Sequence, residues 1–245
     1  MLLPRYFFRE DFTQFEDWLL ERSTGIREFK AGAFLNGMDI DYNTIYYILS
    51  GVGVFYVVHE SGERSTLTYH GAGTMYPLMR VTERFKMEDN IFFQAITDMK
   101  VAVFPNDMIL DLMMENRDFA KAKIQLFNKH INIFCFRTAN SEHGNALCAV
   151  SNFLYIMFYN NSSFTKGNTL LLSQDEIAEG VGMTRVHVTR TLKVLADQGI
   201  IGVERRKIVI HDMERLISTC SIVTRCSSGW RSIKRRNCVF SRERS

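Results

Sequence analysis

The chain has 245 residues, 46% of them hydrophobic and 23% charged, a globular composition with room for one large domain or two modest ones. Five cysteines without a C-x-x-C pair argue against a disulfide framework or a zinc site, and no apolar run has membrane-spanning length; with no cleavage pattern in "MLLPRYFFREDF", a cytoplasmic protein away from membranes is expected. The net charge of +3 hides an asymmetry: residues 221–245 carry +6 and residues 1–220 carry −3, so any nucleic-acid binding by the body needs a local basic patch.

In chain order, "REDFTQFEDWLLERS" (9–23) spaces Phe12, Phe15, Trp18 and Leu19 as a helix does. From Ile26 the pattern turns to short β-type runs punctuated by Gly51, Gly53, Gly62, Gly71 and Gly73. "ESGE" (60–63) reads as the turn of a hairpin between "GVFYVVH" and "RSTLTYH", and "NIFFQAITDMKVAVFP" (90–105) adds two strands. Evenly spaced short strands suggest a closed or sandwiched β structure. After Pro105, "NDMILDLMMEN" predicts a short helix capped by Asn106 or Asp107. Residues 117–142 predict a long helix with Phe119, Ile124, Phe127, Ile131, Phe134 and Phe136 recurring every three or four residues. That seam favours pairing with a twin helix in a homodimer over packing on the chain's own β-domain. "NSEHGN" (140–145) reads as a hinge, "ALCAVSNFLYIMFYN" as a buried helix, and "NSSFTKGNTLLL" as a loop entering a short strand.

"SQDEIAEGVGMTRVHVTRTLKVLADQGII" (173–201) has the layout of a helix-turn-helix. Ser173 can cap the first helix, with Asp175 and Glu176 in its first turn, and Gly182 gives the turn its backbone freedom. Thr184 can cap the second helix, whose inner stripe is Val188, Leu192 and Leu195. Its outer face then carries Arg185, Val186, Thr189, Arg190 and Lys193, with no acidic residue between Thr184 and Ala196. An all-positive face points to an anionic partner, because a merely solvated helix mixes signs. "GIIGVERRKIVIHD" (199–212) follows as a β wing with Arg205, Arg206 and Lys207 at its tip, suited to phosphate contacts. The candidate DNA-binding set is Ser173, Gln174, Thr184, Arg185, Val186, Thr189, Arg190, Lys193, Arg205, Arg206 and Lys207.

With "FKAGAFL", the glycine-punctuated "YYILSGVGVFYVVHESGERSTLTYHGAGTMYP", the long helix and "QDEIAEGVGMTRVHVTRTLKVLADQGII", the chain resembles the CRP/FNR superfamily of bacterial transcription regulators from about residue 20 to 218. The resemblance implies an α+β fold: an N-terminal antiparallel β-roll (a double-stranded β-helix), a long dimerisation helix and a C-terminal winged helix-turn-helix domain. The expected division is a β-roll effector domain over 1–105, a helical region over 106–142, a DNA-binding domain over 143–220 and a basic tail over 221–245. It implies a homodimer, not an enzyme, that places two recognition helices in successive major grooves of a near-palindromic double-stranded DNA site under control of a small effector or redox signal. RNA polymerase is a further expected partner if the protein activates. Ile124, Phe127, Ile131 and Phe134 are the expected dimerisation residues.

The effector is less legible. The Gly-Glu and Arg-Ser pairs of cyclic-nucleotide binders are missing from "GAGTMYPLMRVTERFKMEDNIFF", and the first cysteine is Cys135, too late for an N-terminal iron–sulfur cluster. Haem stays open through His59 and His70, with Met75 and Met79 near, although histidines on strands are mostly surface or capping residues. Tyr69, Tyr76, Arg80, Arg84 and Phe92 are candidate effector residues, with Phe85 and Phe93 as further aromatics of an apolar pocket or simply of the core. A haem-based gas sensor, or a β-roll binding module acting through a protein partner, are the alternatives. Many superfamily members carry Glu at the Val186 position; Val cannot accept a hydrogen bond, but its methyls can pack on a thymine methyl.

Overall fold

The computed structural model describes residues 6–36, 43–60, 62, 64–77, 90–141, 145–159, 165–221 and 224. Arg80, Arg84, Met79, Phe85, most of the basic tail and residues 142–144 of the expected hinge lie outside the described residues.

The N-terminal half is a two-sheet roll. One sheet runs β1 (Phe7–Phe8), β6 (Arg64–His70), β5 (Gly53–Val58), β8 (Ile91–Ala95), β3 (Phe34–Asn36); the other runs β2 (Gly25–Phe29), β9 (Met99–Pro105), β4 (Thr44–Ser50), β7 (Met75–Tyr76). The pairings are antiparallel except β1 with β6, which are parallel. The β5–β6 hairpin forms as the "ESGE" signal predicts, with Gly62 at φ +79° in its turn. Between β1 and β2 lie a short 3-10 turn (Thr13–Phe15) and α1 (Glu16–Arg22), which bury Phe12 and Leu19 against the roll.

After the roll come α2 (Asn106–Glu115) and α3 (Arg117–Ser141). Neither Asn106 nor Asp107 caps α2: the cap position is Pro105, and Asn106 is already helical and buried. Proline serves there because its fixed φ suits the entry and its missing N–H would have no helical partner.

The seam expected on α3 divides into two. Phe119 and Phe136 are buried against the chain's own core, alongside Leu126 and Ile133. Ile124, Ile131 and Phe134 stay 54%, 58% and 39% exposed, and Phe127 is half-buried. Their three- and four-residue spacing forms a second stripe on the outer side. One face of the helix therefore packs on the chain's own core, and the other carries apolar side chains that the chain leaves exposed.

The C-terminal half is built round α4 (Ala146–Tyr159), whose Val150, Phe153, Leu154 and Ile156 are buried. It packs against a four-stranded sheet ordered β10 (Thr165–Lys166), β11 (Thr169–Leu170), β13 (Lys207–Ile210), β12 (Ile201–Glu204), and against α5 (Gln174–Val181), α6 (Arg185–Asp197) and α7 (Met213–Thr219). One apolar cluster runs from Tyr6 and Tyr69 of the roll through Phe136 and Phe153 to Leu192 and Leu195 of α6, so the two halves share a core. Tyr6 meets Phe153 edge-on at 5.4 Å. No helix among the described residues is long and apolar enough to cross a membrane.

Candidate nucleic-acid interface

The helix-turn-helix forms from its local signals. Ser173 Oγ accepts the backbone N–H of Glu176 (3.2 Å), and Glu176 Oε2 accepts that of Ser173 (2.7 Å), a reciprocal capping box. Gly182 closes α5 at φ +69° and ψ 38°, a left-handed turn that favours glycine. Gly180 is needed for a different reason: a Cβ there would lie 2.4 Å from Cε2 of buried Phe153. Thr184 Oγ1 then accepts the His187 N–H at the start of α6 (3.5 Å).

On α6 the buried side chains are Val188, Thr191, Leu192 and Leu195, while Arg185, Val186, Thr189, Arg190 and Lys193 are exposed. Val186 is 58% exposed, an apolar group held in water between two arginines. The wing tip, Arg205, Arg206 and Lys207, is exposed on the β12–β13 hairpin, with Arg206 at φ 55° in its turn.

Three contacts tie this surface to the first turn of α5. Arg185 Nη1 lies 3.3 Å from Asp175 Oδ2, Arg206 Nη2 lies 3.5 Å from Glu176 Oε1, and the Thr189 hydroxyl donates to Gln174 Oε1 (2.6 Å). The sequence reading missed these partners, although acidic residues in a first turn beside a basic helix were a signal for them. All are exposed or partly exposed, so the ion pairs contribute little stability and give way readily to another anion.

The described effector candidates, Tyr69, Tyr76 and Phe92, do not converge. Tyr69 belongs to the core shared with Tyr6 and Phe153. Tyr76 sits on Phe93 at 4.1 Å, and Phe92, turned to the other side of β8, stacks on Tyr56 at 5.5 Å. Phe92 and Phe93 cannot share a pocket wall because successive strand residues point to opposite faces. The two histidines that left haem open lie apart as well. His59 follows the end of β5 and is exposed, while His70 pairs with Gly53 at the other end of the hairpin, six residues or about 20 Å away at strand rise. One haem iron cannot bridge them.

His70 is not the surface residue the strand pattern suggests. It is fully buried, its Nε2 lies 2.9 Å from Thr68 Oγ1, and its ring centroid is 5.5 Å from that of buried His130 on α3. Burial, then the neighbouring His130, pushes its pKa well down. Burial likewise brings His130 down to about 4, against the upward pull of its Leu126 carbonyl contact and Asp11; Lys123 and Lys129 add to the lowering. Lys123, also fully buried, is brought down to about 7 by desolvation.

Residues 150–219 match the family of the Crp-like helix-turn-helix domain. Over 210 residues the chain is 26% identical to the anaerobic regulatory protein of Haemophilus influenzae, covering 82% of this chain and 77% of that one. The match places residues 150–219 in the Crp-like helix-turn-helix family, and over most of its length the chain is similar to FNR-type regulators. Its fold agrees with that of solved structures. FixK2 from Bradyrhizobium japonicum superposes with a TM-score of 0.65 at 18% identity, over 80% of this chain and 97% of that one. A CooA mutant from Carboxydothermus hydrogenoformans gives 0.68 at 18% identity, over 82% and 89%. The exposed basic helix α6 falls within the matched helix-turn-helix domain, as its second helix after the turn.

Proposed function

We propose that the chain binds a near-palindromic DNA site as a homodimer, each protomer inserting the outer face of α6 into a major groove. The observation that carries this reading is that Arg185, Val186, Thr189, Arg190 and Lys193 are all exposed on α6 over the buried Val188, Thr191, Leu192 and Leu195, with no acidic residue on the helix before Asp197 at its last position. Arg185 and Arg190 supply the polar contacts to base edges or phosphates. The wing residues Arg205, Arg206 and Lys207, with Ser173, Gln174 and Thr184, hold the backbone and set register. On binding, phosphate oxygens replace Asp175 and Glu176 as partners of Arg185 and Arg206. The outer stripe Ile124, Phe127, Ile131 and Phe134 pairs with its twin; the exposure of Ile124, Ile131 and Phe134 supports placing the dimer interface on that side of α3.

The working division is a sensing roll, a helical connector that dimerises, and a DNA-binding unit running from about residue 143 to 220. A small ligand or redox signal shifts the balance between DNA-competent and incompetent dimers. Where the protein activates, RNA polymerase is the partner it recruits.

Val186 sets the sharpest test. In an in vitro selection from randomised duplexes, the natural protein should favour thymine at one position of each half-site. Val186→Glu should move that preference to a base presenting an amino group, cytosine or adenine. Identical selected sites would contradict the placement of Val186 against a base.

A further inference from the structure

A cavity of about 430 Å3 opens where the roll, the end of α3, α4 and the turn after α5 meet, a size typical of small-molecule sites. Tyr6, Phe134 and Phe136 give it an aromatic wall, and Asn152 and Arg137 line it with polar atoms. Arg137 is the unusual member. Its guanidinium is largely withdrawn from solvent and donates to the Thr66 carbonyl and to Ser65 Oγ (3.2 Å), both neutral oxygens. Burial lowers its pKa, and the groups that counter this are the hydroxyls of Tyr6 and Tyr69.

No carboxylate among the described residues neutralises it. The three acids of α5 are engaged elsewhere: Asp175 with Arg185, Glu176 with Arg206, and Glu179 accepting from Thr66 Oγ1 (3.3 Å) with Arg64 as its countercharge. A cationic group held in a low-dielectric wall without a partner is costly, and an anion entering the cavity removes that cost. The planar guanidinium has five N–H donors, more than its two protein acceptors use, in a fork that suits an oxyanion.

We propose that this cavity binds a small organic acid, its carboxylate or phosphate on Arg137 and its apolar body against Tyr6, Phe134 and Phe136. The site is separate from Tyr76 and Phe92 of the roll and shares only Tyr69, whose hydroxyl acts on Arg137, with the effector candidates. It touches the two elements whose relative placement matters for DNA. Phe134 belongs to the outer stripe of α3, and a Cβ on Gly182, in the turn that aims α6, would stand 3.9 Å from Arg137 Nη2. Control of DNA binding through this site rests on the effector-gated reading above; the binding itself does not.

The test uses the full chain at constant ionic strength, with hexanoate, benzoate and phenyl phosphate as probes, hexanol and benzyl alcohol as neutral counterparts, and sulfate as a bare anion. At least one organic acid should raise the melting temperature saturably, while the alcohols and sulfate do not. Arg137→Gln should weaken that binding by about tenfold or more, as loss of a charge-assisted fork contact does. Ala149→Leu, which fills the cavity from α4 and leaves Arg137 in place, should abolish it, and it decides the matter if the arginine variant does not fold. Absence of a saturable shift with all three acids, or equal binding by the alcohols, by sulfate or by the Ala149→Leu protein, would overturn the site. If an acid passes these criteria but leaves DNA affinity unchanged, the site stands and control through it falls.

Discussion

The outer face of α6 and the inner face of α3 put polar residues to opposite uses. On α6 every basic group is in water and every buried side chain is apolar or, for Thr191, bonded to the His187 carbonyl at 2.9 Å. On α3 the inward side carries Lys123 and His130, and His130 meets His70 of β6 in the core. Nδ1 of His70 and Nε2 of His130 are buried without a hydrogen-bond partner among the described residues. Exposed charges cost the fold little and are available to a partner, whereas buried titratable groups hold the roll against the helix at a stability cost that depends on pH.

Mutations should separate the two behaviours. The largest stability effect belongs to the apolar side of α6: Leu192→Ala, at a fully buried position, should cost about 2–5 kcal/mol in chemical denaturation. A loss below about 1 kcal/mol would mean the helix is not seated as described. On α3 the contrast is between faces. Ile131→Glu, at an outer position 58% exposed, should leave the monomer's melting temperature nearly unchanged and abolish the dimer in light scattering. A dimer that survives it would move the interface off this stripe.

A smaller effect is expected from pH. His130 is held near 4 in the folded protein, against an ordinary value near 6.5. Between those values the unfolded chain binds a proton that the folded chain does not, so stability falls as pH drops from about 6.5 toward 4. For His130 alone the loss from pH 7 to 5 is about 1–2 kcal/mol, and His70 adds to it in the same direction. His130→Phe, which can keep the 4.2 Å stack on Phe8, should flatten the dependence of melting temperature on pH over this range. An unchanged slope would mean His130 is not the proton acceptor.

The contrast also explains what the sequence made legible. Caps, the left-handed turn and a helical period are local, so Ser173, Gly182, Thr184 and the inner stripe of α6 could be read residue by residue. The roll was legible as strands because its glycines and alternation are local too. The division of α3 was not: its two faces are both rich in large apolar residues, and the period alone does not say that Phe119 and Phe136 turn to the roll while Ile124 and Ile131 turn away. Lys123 and His130 look outward by type and are buried only because the roll closes over them. Aromatic content suggested an effector pocket around Phe92 and Tyr76, but alternation along β8 and the packing of Tyr76 on Phe93 decide their directions. Arg137 gave no signal, since the absence of a charge partner is a property of the assembled fold.

The central claim is that the exposed face of α6 reads DNA sequence, and fluorescence anisotropy on a selected duplex and a scrambled one, across a salt series, tests it most directly. Arg190→Ala should weaken binding to the selected duplex by about 1–3 kcal/mol while changing affinity for the scrambled duplex far less, with the fold unaltered. An equal, salt-dependent loss on both duplexes would make Arg190 a phosphate contact, and no loss on either would contradict the assignment of this face to DNA.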